Sequence, residues 1–309
     1  MKTDISVVIV TRNEASSLYR ALASVKKLAK EVVVVDLESS DDSVKVAQSY
    51  GAIVFPHRFA DYVEKVRNFS LTKVTGPWVL VLDPDEELPP KLAKKLRLIA
   101  DSANSADYYQ ISRQNIIFGK WIRSSRWWPD FNIRFFKKGF VNWTERLHGV
   151  PLTHGRGADI AAEEGLAIIH HHYDSLNKYL VWANRYADIR ARDAEYEGRS
   201  FSWLDLVQKP TSEFFSRYFF GHGYQDGTHG LAVCLLQSFA ELLVALKIWE
   251  KEKFPQAEIK LPEVTRELSE ISRQLSYWEA DAELSSGPGG VKAIAARLRR
   301  KLYSRKGIS

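Results

Sequence analysis

Four short apolar runs punctuate the first third of the chain: Ile5 to Val10, Val32 to Val35, Ala52 to Phe55, and Trp78 to Leu82. They are rich in β-branched residues, the composition of strands buried on both faces. Between the first two runs, Leu18, Leu22, Val25 and Leu28 recur at helical spacing. Asp41 and Asp42, following Ser39 and Ser40, read as the acidic start of a second helix, and a third amphipathic stretch from Tyr62 to Val74 precedes the fourth run. Strands alternating with helices in this way predict an α/β fold, a mostly parallel sheet in a three-layer arrangement with right-handed crossovers.

The pattern then changes. Pro89 and Pro90 suit the first turn of a helix over Lys91 to Ala100. Tyr108 to Ser112 and Asn132 to Phe136 read as strands flanking an aromatic and arginine-rich connection, Phe118 to Trp128. Beyond Asp174 the spacing is mainly helical. Leu231 to Trp249 is nearly all apolar and long enough to span a bilayer, but Gln237, Glu241 and Lys247 interrupt it, favouring a helix packed in the core or lying in a membrane interface. Gly287 to Gly290 reads as a hinge before a basic tail in which Val291, Ile294, Leu298 and Leu302 keep helical spacing.

With 309 residues there is room for one large domain and an appendage. The single cysteine, Cys234, excludes an internal disulfide framework and fits the cytosol. The opening apolar run is too short for a signal core, so the protein is expected to stay in the cytoplasm. The formal charge of +6 gathers at the C-terminus, where Val291 to Ser309 holds seven lysines and arginines and no acidic residue. Such a tail suits the anionic inner face of a cytoplasmic membrane. No nucleic-acid reading motif accompanies the charge, so no nucleic-acid partner is expected.

In an open α/β sheet, ligands bind beyond the carboxyl ends of the strands. Here those points carry Thr11, Arg12, Asn13 and Glu14, then Asp36, then Asp83, Pro84, Asp85 and Glu86. There is neither a Gly-x-Gly-x-x-Gly turn nor a Walker A loop, which excludes the usual backbone cradles for phosphate. Two carboxylates two residues apart on an extended chain point to one side, so Asp83 and Asp85 are expected to hold a divalent cation, Mn²⁺ or Mg²⁺, that bridges two phosphates. The competing reading is an acidic loop that caps the next helix. Asp36 likewise either caps a helix or accepts hydrogen bonds from a base or ribose. Trp121 and Trp128, with Arg126, offer aromatic faces and a planar guanidinium for an acceptor sugar and its phosphates. Consecutive histidines on a strand face alternate sides, so His170, His171 and His172 cannot all bind one ion, and they are expected to be structural or to face the acceptor.

Taken together, Val7 to Glu14, Val33 to Asp36 with Ser39-Ser40-Asp41, Arg67-Asn68 and Leu82 to Glu86 resemble the family 2 glycosyltransferases of the GT-A fold. Gly119 to Ile122, Trp128-Pro129-Asp130, Arg134-Phe135-Phe136 and His170 to Tyr173 resemble the subgroup containing bacterial lipopolysaccharide-core β-glucosyltransferases. The resemblance implies that Thr11, Asn13, Glu14 and Asp36 line a nucleotide pocket, that Asp83 and Asp85 face the ribose and metal-diphosphate, and that Arg67 lies near the donor. It also implies inversion at the anomeric carbon, with an acidic base after the strand Asn132 to Phe136. Glu145, His148 and Asp130 are the candidates, Glu145 first, since Gly149 stands where many relatives have the acid. The expected activity is transfer of a hexose, glucose from UDP-glucose first, to a glycolipid, lipopolysaccharide-core or other cell-envelope saccharide. A polyprenyl-phosphate acceptor and a catalytically silent scaffold binding sugar or protein are the alternatives. The expected division is a catalytic domain over 1–230, a helical extension over 231–286 and a basic amphipathic tail over 287–309.

Overall fold

The structure is a computed structural model that describes residues 4–61, 63–144, 151–287 and 289–304. The chain forms two compact units, one of residues 1–116 with 127–172, the other of residues 117–126 with 173–309.

The first unit opens with β1 (Ile5–Thr11), α1 (Ala15–Val25), β2 (Glu31–Asp36), α2 (Ser43–Ser49), β3 (Ile53–Pro56), α3 (Glu64–Thr72) and β4 (Trp78–Leu82). A two-residue strand β5 (Glu86–Glu87) and helix α4 (Pro90–Ala100) follow. Next come β6 (Tyr108–Ile117), then β7 (Lys120–Trp121) in the segment that belongs to the other unit, and β8 (Asp130–Lys137), β9 (Val141–Asn142), β10 (Leu152–Thr153), β11 (Gly157–Asp159) and β12 (Ile168–Tyr173). The main sheet runs β3-β2-β1-β4-β8-β6-β12-β5, with β11 beside β6. Strands β3, β2, β1 and β4 are mutually parallel, while β8 runs antiparallel to both β4 and β6.

Alternation along the parallel strands builds two apolar layers, as the near-continuous hydrophobic runs required. Ile5, Val7 and Ile9 of β1 and Leu80 and Leu82 of β4 pack with Leu18 and Leu22 of α1 and Leu92 and Leu96 of α4. Val8 and Val10, with Val79 and Val81, face the other way, toward Val66 of α3, Phe136 and Trp143. Helix α4 starts as its sequence dictates: Pro89 is extended (φ −63°, ψ 147°) and Pro90 occupies the first turn, where no amide hydrogen is needed.

The second unit contains α5 (Leu176–Tyr196), α6 (Asp205–Phe215), a π-helical turn (Ser216–Phe220), a 3₁₀ turn (Gly223–Asp226), α7 (Gly227–Lys251), α8 (Leu261–Ser285) and α9 (Gly290–Tyr303). Its larger segment runs from Tyr173, and α5 and α6 both pack on α7. Segment 117–126 joins it through Asp226. That carboxylate accepts from the amides of Arg123 (3.0 Å) and Ser124 (2.9 Å) and from Ser124 Oγ (2.6 Å).

Helix α7 is long and apolar enough to cross a membrane. Its polar interruptions all find partners on α5: Gln237 Nε2 reaches Tyr179 Oη (3.5 Å), Arg190 Nη1 reaches Glu241 Oε1 (3.3 Å), and Lys247 Nζ reaches Asp188 Oδ1 (3.1 Å). The residues that interrupt the apolar run are therefore the ones that tie α7 to its neighbour.

Candidate active site

Parallel β1 and β2 end in register, with Thr11 opposite Asp36. Both residues are buried, and among the described residues Thr11 Oγ1 and Asp36 Oδ1 have no hydrogen-bond partner. The other Asp36 oxygen accepts from the Ser39 amide (3.1 Å). The loops beyond these strand ends are stitched to each other. Asn13, in the left-handed region at φ 53°, accepts from the Ser40 amide at Oδ1 (2.7 Å) and gives its own amide to Ser39 Oγ (2.9 Å). The Glu14 amide donates to Ser43 Oγ (2.9 Å). The polar residues predicted at the first two strand ends thus stand together, Thr11 and Asp36 offering free acceptor capacity and Asn13 fixing the loop.

Beyond β4 the chain turns instead of staying extended: the Glu86 amide donates back to the Asp83 carbonyl (3.0 Å). The expectation that Asp83 and Asp85 project to one side rested on an extended chain, and the turn separates their roles. Asp83 is clamped between two guanidinium groups, Arg67 Nη2 on Oδ1 (2.9 Å) and Arg134 Nη2 on Oδ2 (2.6 Å). Arg134, 4% exposed at its side chain, also reaches the fully buried Glu86 Oε1 at 2.6 Å. Burial alone would raise the Asp83 pKa, but the charges of Arg134 and Arg67 and the Arg134 hydrogen bond outweigh it and hold the carboxyl well below its ordinary range.

Asp85 has different neighbours. β5 pairs antiparallel with β12, placing Glu86 opposite His170, and the His171 amide donates to the Asp85 carbonyl (2.9 Å). His170 and His172, two apart on β12, share a face, and each offers a ring nitrogen that lies with an Asp85 carboxylate oxygen in a group no more than 4.8 Å across. His171 faces away toward Glu87 Oε2 (3.2 Å). The alternation argument therefore removes only His171 from the cluster; the expectation that the histidines are merely structural or face the acceptor misses the pair beside Asp85.

Asn115 orients His170. Its Nδ2 donates to the Trp127 carbonyl (2.9 Å) and to Asp130 Oδ2 (3.1 Å), which uses both amide hydrogens and leaves Oδ1 to accept from His170 Nδ1 (2.6 Å). His170 Nε2 then faces Asp85 Oδ2 at 3.6 Å. Two imidazole nitrogens and a carboxylate oxygen within 4.8 Å of one another make a mixed N and O donor set of the kind that fits a divalent metal.

Asp130, at the start of β8, is held by Arg113 Nη2 (2.6 Å) as well as Asn115. Burial pushes its pKa up, but the Arg113 charge and the hydrogen bonds from Asn115 and Arg113 bring it below its usual value, which makes it a weak base. Glu145 and His148 lie outside the described residues. Of the predicted acceptor residues, Trp128 belongs to the first unit, whereas Trp121 and Arg126 belong to the second. There Arg123 stacks over the Trp121 ring at 3.7 Å and Arg126 pairs with Glu213 at 3.2 Å.

The first unit is a three-layer α/β domain of GT-A architecture, with Thr11, Asp36, Asp83 and Asp85 at or just past its strand ends and the histidine pair of β12 beside Asp85. Residues 6–156 match the profile of Glycosyl transferase family 2. It is 29% identical to an uncharacterized glycosyltransferase of Rickettsia conorii over 80% of this chain and 90% of that protein. It is 22% identical to the lipopolysaccharide core biosynthesis glycosyltransferase LpsC of Rhizobium meliloti over 81% of this chain and 93% of that one.

Proposed function

We propose that the chain is a metal-dependent inverting hexosyltransferase that takes its sugar, glucose first, from a uridine diphosphate donor and passes it to a hydroxyl of a lipopolysaccharide-core, glycolipid or related envelope saccharide. The observation that carries this reading is the grouping of Asp85, His170 and His172 beside the arginine-clamped Asp83. The similarity to the Rhizobium enzyme supports the acceptor class.

A divalent cation held by Asp85 and the histidine pair would neutralise the departing diphosphate. The unpartnered oxygens of Thr11 and Asp36 suit the hydrogen-bond donors of a base and ribose. The acceptor oxygen forms its bond to the anomeric carbon as the bond to the diphosphate breaks on the opposite face, and the hydroxyl proton passes to a base, for which Glu145 is the first choice over His148. Arg67 and Arg134 fix the Asp83 carboxylate in place for the donor, their charges compensated by Asp83 and Glu86.

The test is calorimetric titration of UDP, GDP and CDP, with and without Mn²⁺, on the wild type and on Asp85→Ala. Manganese-dependent binding of UDP, lost in the variant, is the expected result. Binding of another nucleotide would overturn the donor assignment, and metal-independent binding would overturn the role of Asp85.

A further inference from the structure

The helix α9 packs on α8 through its small side. Ala296 is fully buried, Arg300 Nη1 reaches Asp281 Oδ1 of α8 at 2.8 Å, Arg299 pairs with Glu283 of α8, and Arg273 of α8 donates to the Tyr303 carbonyl at 2.9 Å. The large apolar residues point away from this contact: Val291, Ile294, Leu298 and Leu302 are between 57% and 82% exposed. At 100° per residue these four form one stripe, opposite Ala296. The helix thus covers its alanine and leaves its leucines bare, the reverse of what a helix does when its only task is to pack against its own protein.

The stripe is bordered by positive charge on both sides. Arg297 and Lys301 fall along one edge, Lys292 and Arg299 along the other, and α9 has no acidic residue. This arrangement selects among possible occupants. A second copy of the helix would bring cationic borders against cationic borders, which costs association energy. A basic protein surface is excluded on the same ground. An anionic bilayer satisfies both features at once, since the stripe sinks to the level of the acyl chains while the lysines and arginines reach back to the headgroups.

We propose that α9 is a membrane-surface helix that docks the protein on anionic lipid through Val291, Ile294, Leu298 and Leu302, with Lys292, Arg297 and Lys301 as its headgroup contacts. The docking is independent of the transfer chemistry and goes beyond it.

Flotation of the full chain with vesicles of phosphatidylcholine alone or mixed with phosphatidylglycerol tests this. The wild type is expected to float with the mixed vesicles and not with phosphatidylcholine alone. Ile294→Glu/Leu298→Glu, at positions already in water, should lower binding by roughly tenfold or more while leaving the circular dichroism spectrum unchanged. Replacing Lys292, Arg297 and Lys301 by Gln should weaken it by roughly fivefold for each charge removed. The inference is overturned if the wild type fails to float with the mixed vesicles, if it floats equally with both kinds, or if the Glu variant binds as well as the wild type. It is overturned in favour of self-association if light scattering shows a wild-type dimer that the Glu variant abolishes.

Discussion

Replacing Arg134 by Met puts the buried charge network to a direct test. In the native structure one guanidinium nitrogen serves both Asp83 Oδ2 and Glu86 Oε1 at 2.6 Å. Its removal leaves Asp83 with Arg67 at 2.9 Å and some access to water, its side chain being 22% exposed. Glu86 has less to fall back on: it is fully buried, keeps the Asp83 amide on Oε2 (2.8 Å), and has Arg113 no closer than 3.7 Å. Breaking a buried pair from one side costs about 3–5 kcal/mol, and the contacts Glu86 retains put this case near about 3 kcal/mol. For a domain of this size each kcal/mol is worth about 2–4 °C in melting temperature, so a fall of about 6–12 °C is expected. Adding Glu86→Gln to Arg134→Met should recover part of the loss, because the uncompensated charge is then gone. Thermal and urea unfolding at neutral pH provide the readout. A loss below about 1 kcal/mol, or no recovery in the double variant, would refute the assignment of Arg134 as the counter-ion that makes a buried Glu86 tolerable.

Three further outcomes follow from the geometry. The depressed Asp83 pKa contributes stability that is fully present above the ordinary aspartate range and is lost as pH falls through the folded-state value; urea midpoints of wild type and Asp83→Asn should therefore converge as the solution is acidified, and a constant gap would contradict the pairing. Asn115→Ala removes the acceptor that orients His170, so Mn²⁺ affinity measured by calorimetry should fall by about 10–100-fold with the melting temperature of the apo protein changed far less. Gly230→Ala places a methyl group 1.9 Å from the Gly223 carbonyl oxygen, and the helical unit should lose about 1–3 kcal/mol or more in urea unfolding; an unchanged midpoint would mean that the turn before α7 yields easily.

Much of the sheet was legible because its strands announce themselves locally. The apolar runs of β1, β2 and β4 need burial on both faces, and only a sheet between two layers provides it. The strand-end positions Thr11 and Asp36 followed from the same logic. The metal group was harder to see, since it depends on β5 meeting β12 across some eighty residues, a pairing that no local pattern encodes. The Asp-x-Asp spacing suggested a shared ligand pair, but the hydrogen bond from the Glu86 amide to the Asp83 carbonyl makes a turn of that segment, and the arginines claim Asp83. One signal did point to this clamp: Arg134 lies in a strand between Ile133 and Phe135, and a cation in such company needs buried carboxylates to accompany it.

The Asp226 carboxylate gathers a loop that the chain lays down about a hundred residues earlier. The helical unit is consequently not a C-terminal appendage that one cut could release. Severing the chain at Tyr173 would take away residues 117–126 and leave Asp226 buried with no amides to receive, so gene fragments ending or beginning there should yield insoluble halves. In evolutionary terms the two units form one heritable piece, able to diverge in surface and substrate but not to be exchanged separately by a single crossover.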